Sequence, residues 1–197
     1  MSGVIRLGEH EWPVRKATLG ATILPAEEAD FHWGPGTGGV SWSLDVEAVR
    51  RGVAGDLLAP TISVDSFSVP LRDWHEMAGR AFDWPNPPDT AVQDRPIICL
   101  YDHDDIVGCE ARVGRRTGNI FDFELVGSCS FFTDADRLHV RARLTFAGVG
   151  VRAATPEAAW ERLCERLDGR GFSPTPILPG DSWLSAPSYV GFEPLVT

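Results

Sequence analysis

Regular alternation of apolar and polar residues is the feature that most constrains the fold of this chain. Between Val40 and Ala48 the sequence reads Val-Ser-Trp-Ser-Leu-Asp-Val-Glu-Ala, so every second residue is apolar. Successive side chains of a β-strand point to opposite faces, so this pattern predicts a strand with one buried and one solvated face. Strands of that kind belong to antiparallel sheets, in which one face packs on the core and the other meets water.

The same alternation recurs along the chain. Residues 16–23 predict another strand, and its expected buried residues are Ala17, Leu19, Ala21 and Ile23. In the second half, polar turn residues separate four segments that predict a meander: 97–101, 106–115, 120–131 and 138–152. In the last segment the alternation changes phase near Gly148 and Gly150, which is typical of a β-bulge.

One amphipathic helix is predicted over residues 155–168. Thr155-Pro156-Glu157 combines an N-cap residue, a proline at the first helical position and an acid in the first turn. Apolar residues then recur at helical spacing, namely Ala159, Trp160, Leu163, Cys164 and Leu167. We therefore predict an α+β fold, mainly antiparallel β-sheet in a sandwich or a curled sheet, with this C-terminal helix packed on it. A shorter helix is expected at residues 73–79.

A chain of 197 residues is long enough to bury a core and fits one domain. Its one candidate boundary is the proline-rich run Trp84-Pro85-Asn86-Pro87-Pro88, near residues 85–90. The residues before this run hold few long strands, and a cut there would leave the predicted meander with too little to cover its apolar face. A single globular domain over residues 1–197 is therefore predicted.

Charge and composition exclude several classes of partner. The chain has 28 acidic and 18 basic residues, which gives a net charge of −10, and its basic residues form only isolated pairs such as Arg115-Arg116. Nucleic acid and anionic membranes are therefore not expected as partners. The sequence shows neither a membrane-spanning apolar run nor a secretory signal. Seventeen arginines against one lysine fit the codon usage of a GC-rich bacterium, so we expect a bacterial cytoplasmic protein.

Motifs for cofactor binding or catalysis are missing or stand in the wrong context. Residues 34–39 match G-x-G-x-x-G, but a strand follows them where a dinucleotide site needs a helix. The four cysteines form no C-x-x-C pair, and the Gly127-Ser128 segment lacks the closing glycine of a nucleophile elbow. We therefore expect no cofactor, and the sequence favours a protein without catalytic activity.

The segment Asp102-His103-Asp104-Asp105 carries an imidazole among carboxylates, which are possible ligands of a divalent metal. A catalytic metal would need further ligands from distant strands. Aspartates also gather at hairpin tips because their side chains stabilise turns. We favour the turn interpretation over a metal site, and a metal-dependent enzyme using His103 ranks last among the functional hypotheses.

The leading hypothesis is a binding or accessory protein that neutralises a basic protein partner, as inhibitor and immunity proteins do. A strongly acidic surface attracts such a partner by electrostatic steering. The candidate contact residues are the tip acids and two loop tryptophans that can anchor an interface: Asp104, Asp105, Trp33 and Trp84. The alternative is a β-domain that binds a small ligand or a carbohydrate through its loop tryptophans. Oligomeric state cannot be inferred from the sequence.

Overall fold

The computed structural model describes residues 3–33, 39–53, 55–84, 96–177 and 189–196. The structure is mostly antiparallel β-sheet, with 59% strand and 14% helix, which confirms the predicted α+β class. Among the same residues, no helix is both long enough and apolar enough to cross a membrane.

Thirteen strands and two α-helices lie within the described residues. The strands are β1 (Val4–Leu7), β2 (His10–Ile23), β3 (Val40–Ala48), β4 (Arg51–Val53), β5 (Asp56–Leu58), β6 (Thr61–Phe67), β7 (Ala81–Trp84), β8 (Ile97–Cys99), β9 (His103–Asp105), β10 (Val107–Thr117), β11 (Ile120–Cys129), β12 (Asp136–Arg152) and β13 (Tyr189–Phe192). The α-helices are α1 (Ala26–Trp33) and α2 (Pro156–Arg166), and short 3-10 turns cover Trp74–Met77 and Gly169–Gly171.

The chain divides into two compact units, each assembled from three stretches of sequence. Unit 1 comprises Met1–Thr18, Leu44–Asp65 and Ala78–Thr145, and unit 2 comprises Leu19–Ser43, Ser66–Met77 and Phe146–Thr197. Residues 85–90, the candidate boundary, lie outside the described residues, so the single-domain organisation stays a prediction.

Unit 1 contains parts of ten strands in one hydrogen-bonded sheet, in the order β7-β10-β11-β12-β1-β2-β3-β6-β8-β9. Strands β4 and β5 form a separate hairpin. The consecutive antiparallel pairing of β10, β11 and β12 confirms three strands of the predicted meander. Alternate residues of these strands fill the core of unit 1, among them Val113, Phe121, Leu125, Val140 and Leu144, each at most 1% exposed. Burying one such side chain stabilises the fold by about 1.5–3 kcal/mol.

The fourth strand of the predicted meander, residues 97–101, pairs elsewhere. Its observed part, β8, pairs with β6 and turns back through residues 100–102 into β9. Cys99 therefore lies opposite His103, and residues 103–105 form a strand where a turn was expected. The turn closes early because the backbone N–H of Leu100 donates to the carbonyl of Asp102 at 3.2 Å. Strand β10 has β7 as its other neighbour, with Cys109 opposite Trp84.

In unit 2, helix α2 confirms the predicted C-terminal helix. The side chain of Thr155 accepts the backbone N–H of Ala158 at 3.2 Å and so caps the first turn. Leu163 is fully buried, and the Trp160 ring lies 5.3 Å from the ring of Phe192 in β13. The helix thus packs on a strand of the sheet, as predicted. Cys164 was expected on the buried stripe and is exposed, because the covered face of α2 is narrower than the apolar stripe.

Near the C-terminus, residues Tyr189–Phe192 form strand β13. This strand pairs with β12, with Val149 opposite Phe192. Gly148 permits the close approach, because its φ is +119° and a Cβ atom there would collide with the carbonyl oxygen of Phe192. The burial alternation of β12 ends at this glycine, because residues 148–151 are all buried, and the β-bulge expected here stays a prediction. Phe192 is 1% exposed and anchors the tail.

Candidate functional site

The four residues considered as metal ligands lie in the β8–β9 turn and in β9. The carboxylate of Asp102 accepts the backbone N–H of His103 at 2.8 Å, which is an ordinary turn contact. Asp104 and Asp105 follow each other in a strand and therefore occupy opposite faces of the sheet. Among the described residues, no group of three or more His, Cys, Asp or Glu side chains is placed to hold a metal ion. The structure does not bring the four together as ligands.

Asp104 supports the fold locally. It lies opposite the fully buried Ile98 in β8, so its side chain is on the core side of the sheet. Its carboxylate accepts the backbone N–H of Ser130 at 2.6 Å and thereby ties β9 to the end of β11. Asp104 is thus engaged in a structural hydrogen bond.

Asp105 lies on the solvated face of the same sheet and is exposed. The register places it opposite Ile97, which in turn lies opposite Ser63. The Ser63 hydroxyl donates to the Asp45 carboxylate at 2.6 Å. Asp65 is exposed on this face too, two residues beyond Ser63 along β6. On this face β3, β6 and β9 therefore carry the carboxylates of Asp45, Asp65 and Asp105.

Two exposed side chains without charge lie in the β8–β9 turn and in the β4–β5 hairpin. Tyr101 in the β8–β9 turn is 61% exposed, and Leu57 in β5 is 71% exposed. The Tyr101 hydroxyl donates to the carboxylate of Asp56 at 2.9 Å, which joins the turn to the β4–β5 hairpin. This hydrogen bond is the main cause that raises the pKa of Tyr101, so the phenol stays protonated at neutral pH.

We call this surface the acidic edge and define it by five residues, Asp56, Leu57, Tyr101, Asp102 and Asp105. It combines an exposed aromatic ring and an exposed aliphatic side chain with three exposed carboxylates, and the Tyr101–Asp56 hydrogen bond joins its two hairpins. Such a surface suits contact with a positively charged protein, because tyrosine anchors interfaces and acids attract lysine and arginine. The sequence pattern indicated Asp105 and did not indicate Tyr101 or Leu57. Tyr101, which directly precedes the acidic run 102–105, was the available signal.

The structure describes the side chain of only one of the two candidate tryptophans, Trp33 and Trp84. The side chain of Trp33 is outside the described part of the structure. Trp84 is half-buried in β7, with its ring 6.1 Å from that of Phe82. Trp12 and Trp74 are at most 1% exposed, and the Trp74 indole N–H donates to the carbonyl of Gly171 at 3.1 Å. A carbohydrate site would need exposed tryptophans, so neither of these two supports that alternative.

Two of the four cysteine thiols are poor nucleophiles because they are buried. Burial raises the pKa of Cys109 and of Cys129 to about 12, so both remain protonated at neutral pH. A thiol acts as a nucleophile through its thiolate form. Neither residue therefore suggests nucleophilic catalysis, and all four cysteines are free.

Fold by itself does not identify an activity, because one architecture can carry unrelated functions. In this chain the charges and exposed side chains of the acidic edge are the features that bear on function. Comparison with protein-family models, curated proteins and solved structures gave no match to the chain.

Proposed function

We propose that this protein is a non-catalytic binding protein whose acidic edge neutralises a basic protein partner. The observation that carries the proposal is the exposure of Tyr101 and Leu57 among Asp56, Asp102 and Asp105. An apolar centre with a charged rim is the usual anatomy of a protein–protein interface. The net charge of −10 fits this proposal, since it attracts a positively charged partner over a distance.

The carboxylates and the tyrosine would act on different rate constants, those of association and of dissociation. Exposed carboxylates such as Asp105 steer the encounter, and salt screens that attraction within about 8 Å at physiological ionic strength. A tyrosine that becomes buried on binding slows dissociation, and its truncation at an interface centre costs ~2 kcal/mol or more. Binding is non-covalent. The partner is inhibited because its basic surface is covered, as an immunity protein covers its toxin.

The experiment starts from capture of the partner at low salt from the source organism, followed by its purification. Association and dissociation rates are then measured for three variants. We expect Asp105→Lys to slow association at least fivefold and Tyr101→Ala to speed dissociation at least tenfold, with the wild-type association rate falling as salt rises. The matched control is Glu161→Lys, the same charge reversal at an exposed position of α2. It should leave the dissociation rate unchanged and alter association less than Asp105→Lys.

The proposal is wrong if the captured partner has no basic surface, or if its binding is indifferent to salt, to Asp105→Lys and to Tyr101→Ala. Equal effects of Asp105→Lys and Glu161→Lys would also contradict it, because the net charge alone would then explain the attraction. Asp104→Lys is unsuitable as a test, since it breaks the hydrogen bond to Ser130.

A further inference from the structure

A cavity of about 730 Å³ opens on the solvated face of β10, β11 and β12 in unit 1. We call it the arginine groove, and its charged lining residues are Arg112, Arg115, Arg141, Arg143, Asp122 and Glu124. Strand register assembles it, because Arg112 lies opposite Glu124, Glu124 opposite Arg141, and Asp122 opposite Arg143. Four guanidinium groups thus meet two carboxylates in a chain that carries an excess of acids elsewhere.

One of the two carboxylates is already neutralised. Glu124 accepts the His139 ring nitrogen at 2.7 Å and Arg141 Nε at 3.1 Å. The contact with His139 and then that with Arg141 hold the pKa of Glu124 below its ordinary value. Within the described part of the chain, no ion pair within 4.0 Å involves Arg112, Arg115 or Arg143. Three cations therefore remain available to a ligand.

Two glycines line the groove where its strands pack closely. A Cβ atom on Gly3 would lie 2.5 Å from the carbonyl oxygen of Arg141, and one on Gly114 would lie 3.2 Å from Cβ of Asp122. Neither position has room for a side chain without a shift of its neighbours. Glycine at these positions therefore keeps the strands that carry the arginines close together.

A second cavity of about 420 Å³ adjoins the groove and shares Gly3 and Arg143 with it. It adds Arg15, which pairs with Glu47, and Lys16, the single lysine of the chain. Six of the 18 basic residues line the two cavities. Arg143 stands between them, with Arg112 and Arg115 in one cavity and Lys16 in the other.

We propose that the arginine groove binds a small molecule with two or more phosphate groups, one held by Arg115 and Arg143 and the other reaching towards Lys16. Guanidinium groups bind phosphate oxygens through paired, charge-assisted hydrogen bonds, and a cavity of this volume suits a small molecule. The carboxylates of Asp83 and Glu110, exposed on neighbouring residues of β7 and β10, lie on the side of Arg112 and direct the anion away from it. This site is independent of the acidic edge.

Nucleic acid fits the groove less well than a small molecule does. A nucleic-acid strand carries many phosphates in a row, so a protein that binds it needs an extended basic surface. Acidic residues flank this groove instead, and the net charge of the chain is −10. A short polyphosphate is small enough for all of its charges to lie within the groove.

The test is calorimetric titration at low salt with inorganic phosphate, pyrophosphate, tripolyphosphate and a single-stranded DNA 12-mer. We expect pyrophosphate and tripolyphosphate to bind at least tenfold more tightly than phosphate, and the DNA to bind no more tightly than phosphate. Arg143→Gln and Arg115→Gln should each weaken pyrophosphate binding about tenfold. Arg137→Gln is the matched control, since Arg137 is an exposed arginine of β12 outside both cavities.

Asp122→Asn keeps the test decisive even if an arginine variant folds poorly. It removes the remaining carboxylate of the groove, so pyrophosphate binding should become at least threefold tighter, a gain that misfolding cannot produce. Failure of pyrophosphate to bind, an unchanged affinity in Asp122→Asn, or equal losses in Arg143→Gln and Arg137→Gln would overturn the proposal. Tighter binding of the DNA than of tripolyphosphate would overturn it in favour of a nucleic-acid site.

Discussion

At the scale of single residues, the phenol of Tyr101 and the carboxylate of Asp56 define the centre of the acidic edge. Their hydrogen bond is 2.9 Å long and exposed to solvent. It orients the ring and leaves most of its surface available to a partner. The energy of one exposed hydrogen bond is small, but the pKa of Tyr101 reports directly whether it forms in solution.

Replacing Asp56 by Asn should lower the pKa of Tyr101 towards its ordinary value of 10.0, because the charged acceptor that stabilises the protonated phenol is lost. The chain has two tyrosines, so a Tyr189→Phe background leaves Tyr101 as the titrating phenol. Ultraviolet absorbance of tyrosinate against pH measures the shift. Asp102→Asn, which neutralises the next acid without touching that hydrogen bond, is the control and should move the pKa less. Equal pKa values in the Asp56→Asn variant and its parent would show that the contact does not form.

At the scale of elements, helix α2 stabilises unit 2 through few residues. Leu163 is fully buried, whereas its neighbour Cys164 is exposed. Truncating Leu163 to Ala should cost about 2–5 kcal/mol of unfolding free energy, because a cavity remains where the side chain was. Cys164→Ala should cost less than about 0.5 kcal/mol. Urea unfolding of the two variants measures both values, and a loss below about 1 kcal/mol for Leu163→Ala would mean that α2 contributes little.

Elements with a regular hydrophobic alternation or a clear N-cap residue could be predicted from the sequence. Elements that form only because a distant strand pairs with them could not. Alternation identified β3 and β12, and the Thr155 cap identified α2. Helix α1 was missed because its apolar and polar residues do not separate onto two faces, although Glu27 and Glu28 in its first turn were a signal. Strand β13 was missed because its pairing depends on the close approach that Gly148 allows.

The strand face that was expected to meet water is in one case covered by other elements. Ser41 was expected on the solvated side of β3 and is 5% exposed, with its hydroxyl 2.6 Å from that of Ser66. Alternation marks the face that must be buried, but it does not show whether the opposite face is covered too. The acidic edge escaped the sequence for a similar reason. Asp56 and Tyr101 are 45 positions apart, and only the fold brings them into contact.

At the scale of the whole molecule, folding lowers the pKa of several carboxyl groups. Burial alone would raise the pKa of Asp136, but three backbone N–H groups of residues 131–133 and the Thr133 hydroxyl donate to its carboxylate and lower it. Arg170 lowers the pKa of Asp168 to about 2, and His139 and Arg141 lower that of Glu124. Each of these groups binds its proton less readily in the folded chain than in the unfolded one.

Stability should therefore be complete above about pH 5 and should fall as the pH drops towards 2, where the folded carboxylates take up protons. Urea midpoints measured from pH 7 to pH 2 test this sign. Asp136→Asn should cost about 1–3 kcal/mol at pH 7 and less at pH 2, because protonation has already weakened the same hydrogen bonds in the parent. Asp134→Asn, at an exposed position of the same loop, is the control. A loss in Asp136→Asn that is independent of pH would contradict the assignment.

The separation of charge in unit 1 has a consequence for how the molecule moves. Four arginines line the groove over β10 to β12, whereas the exposed carboxylates of the acidic edge lie in β5, in the β8–β9 turn and in β9. An uneven distribution of this kind gives unit 1 an electric dipole moment as well as a net charge. An approaching positive surface then exerts a torque that turns the acidic edge forward before any atom touches. The search for the right orientation is thereby shortened during diffusion.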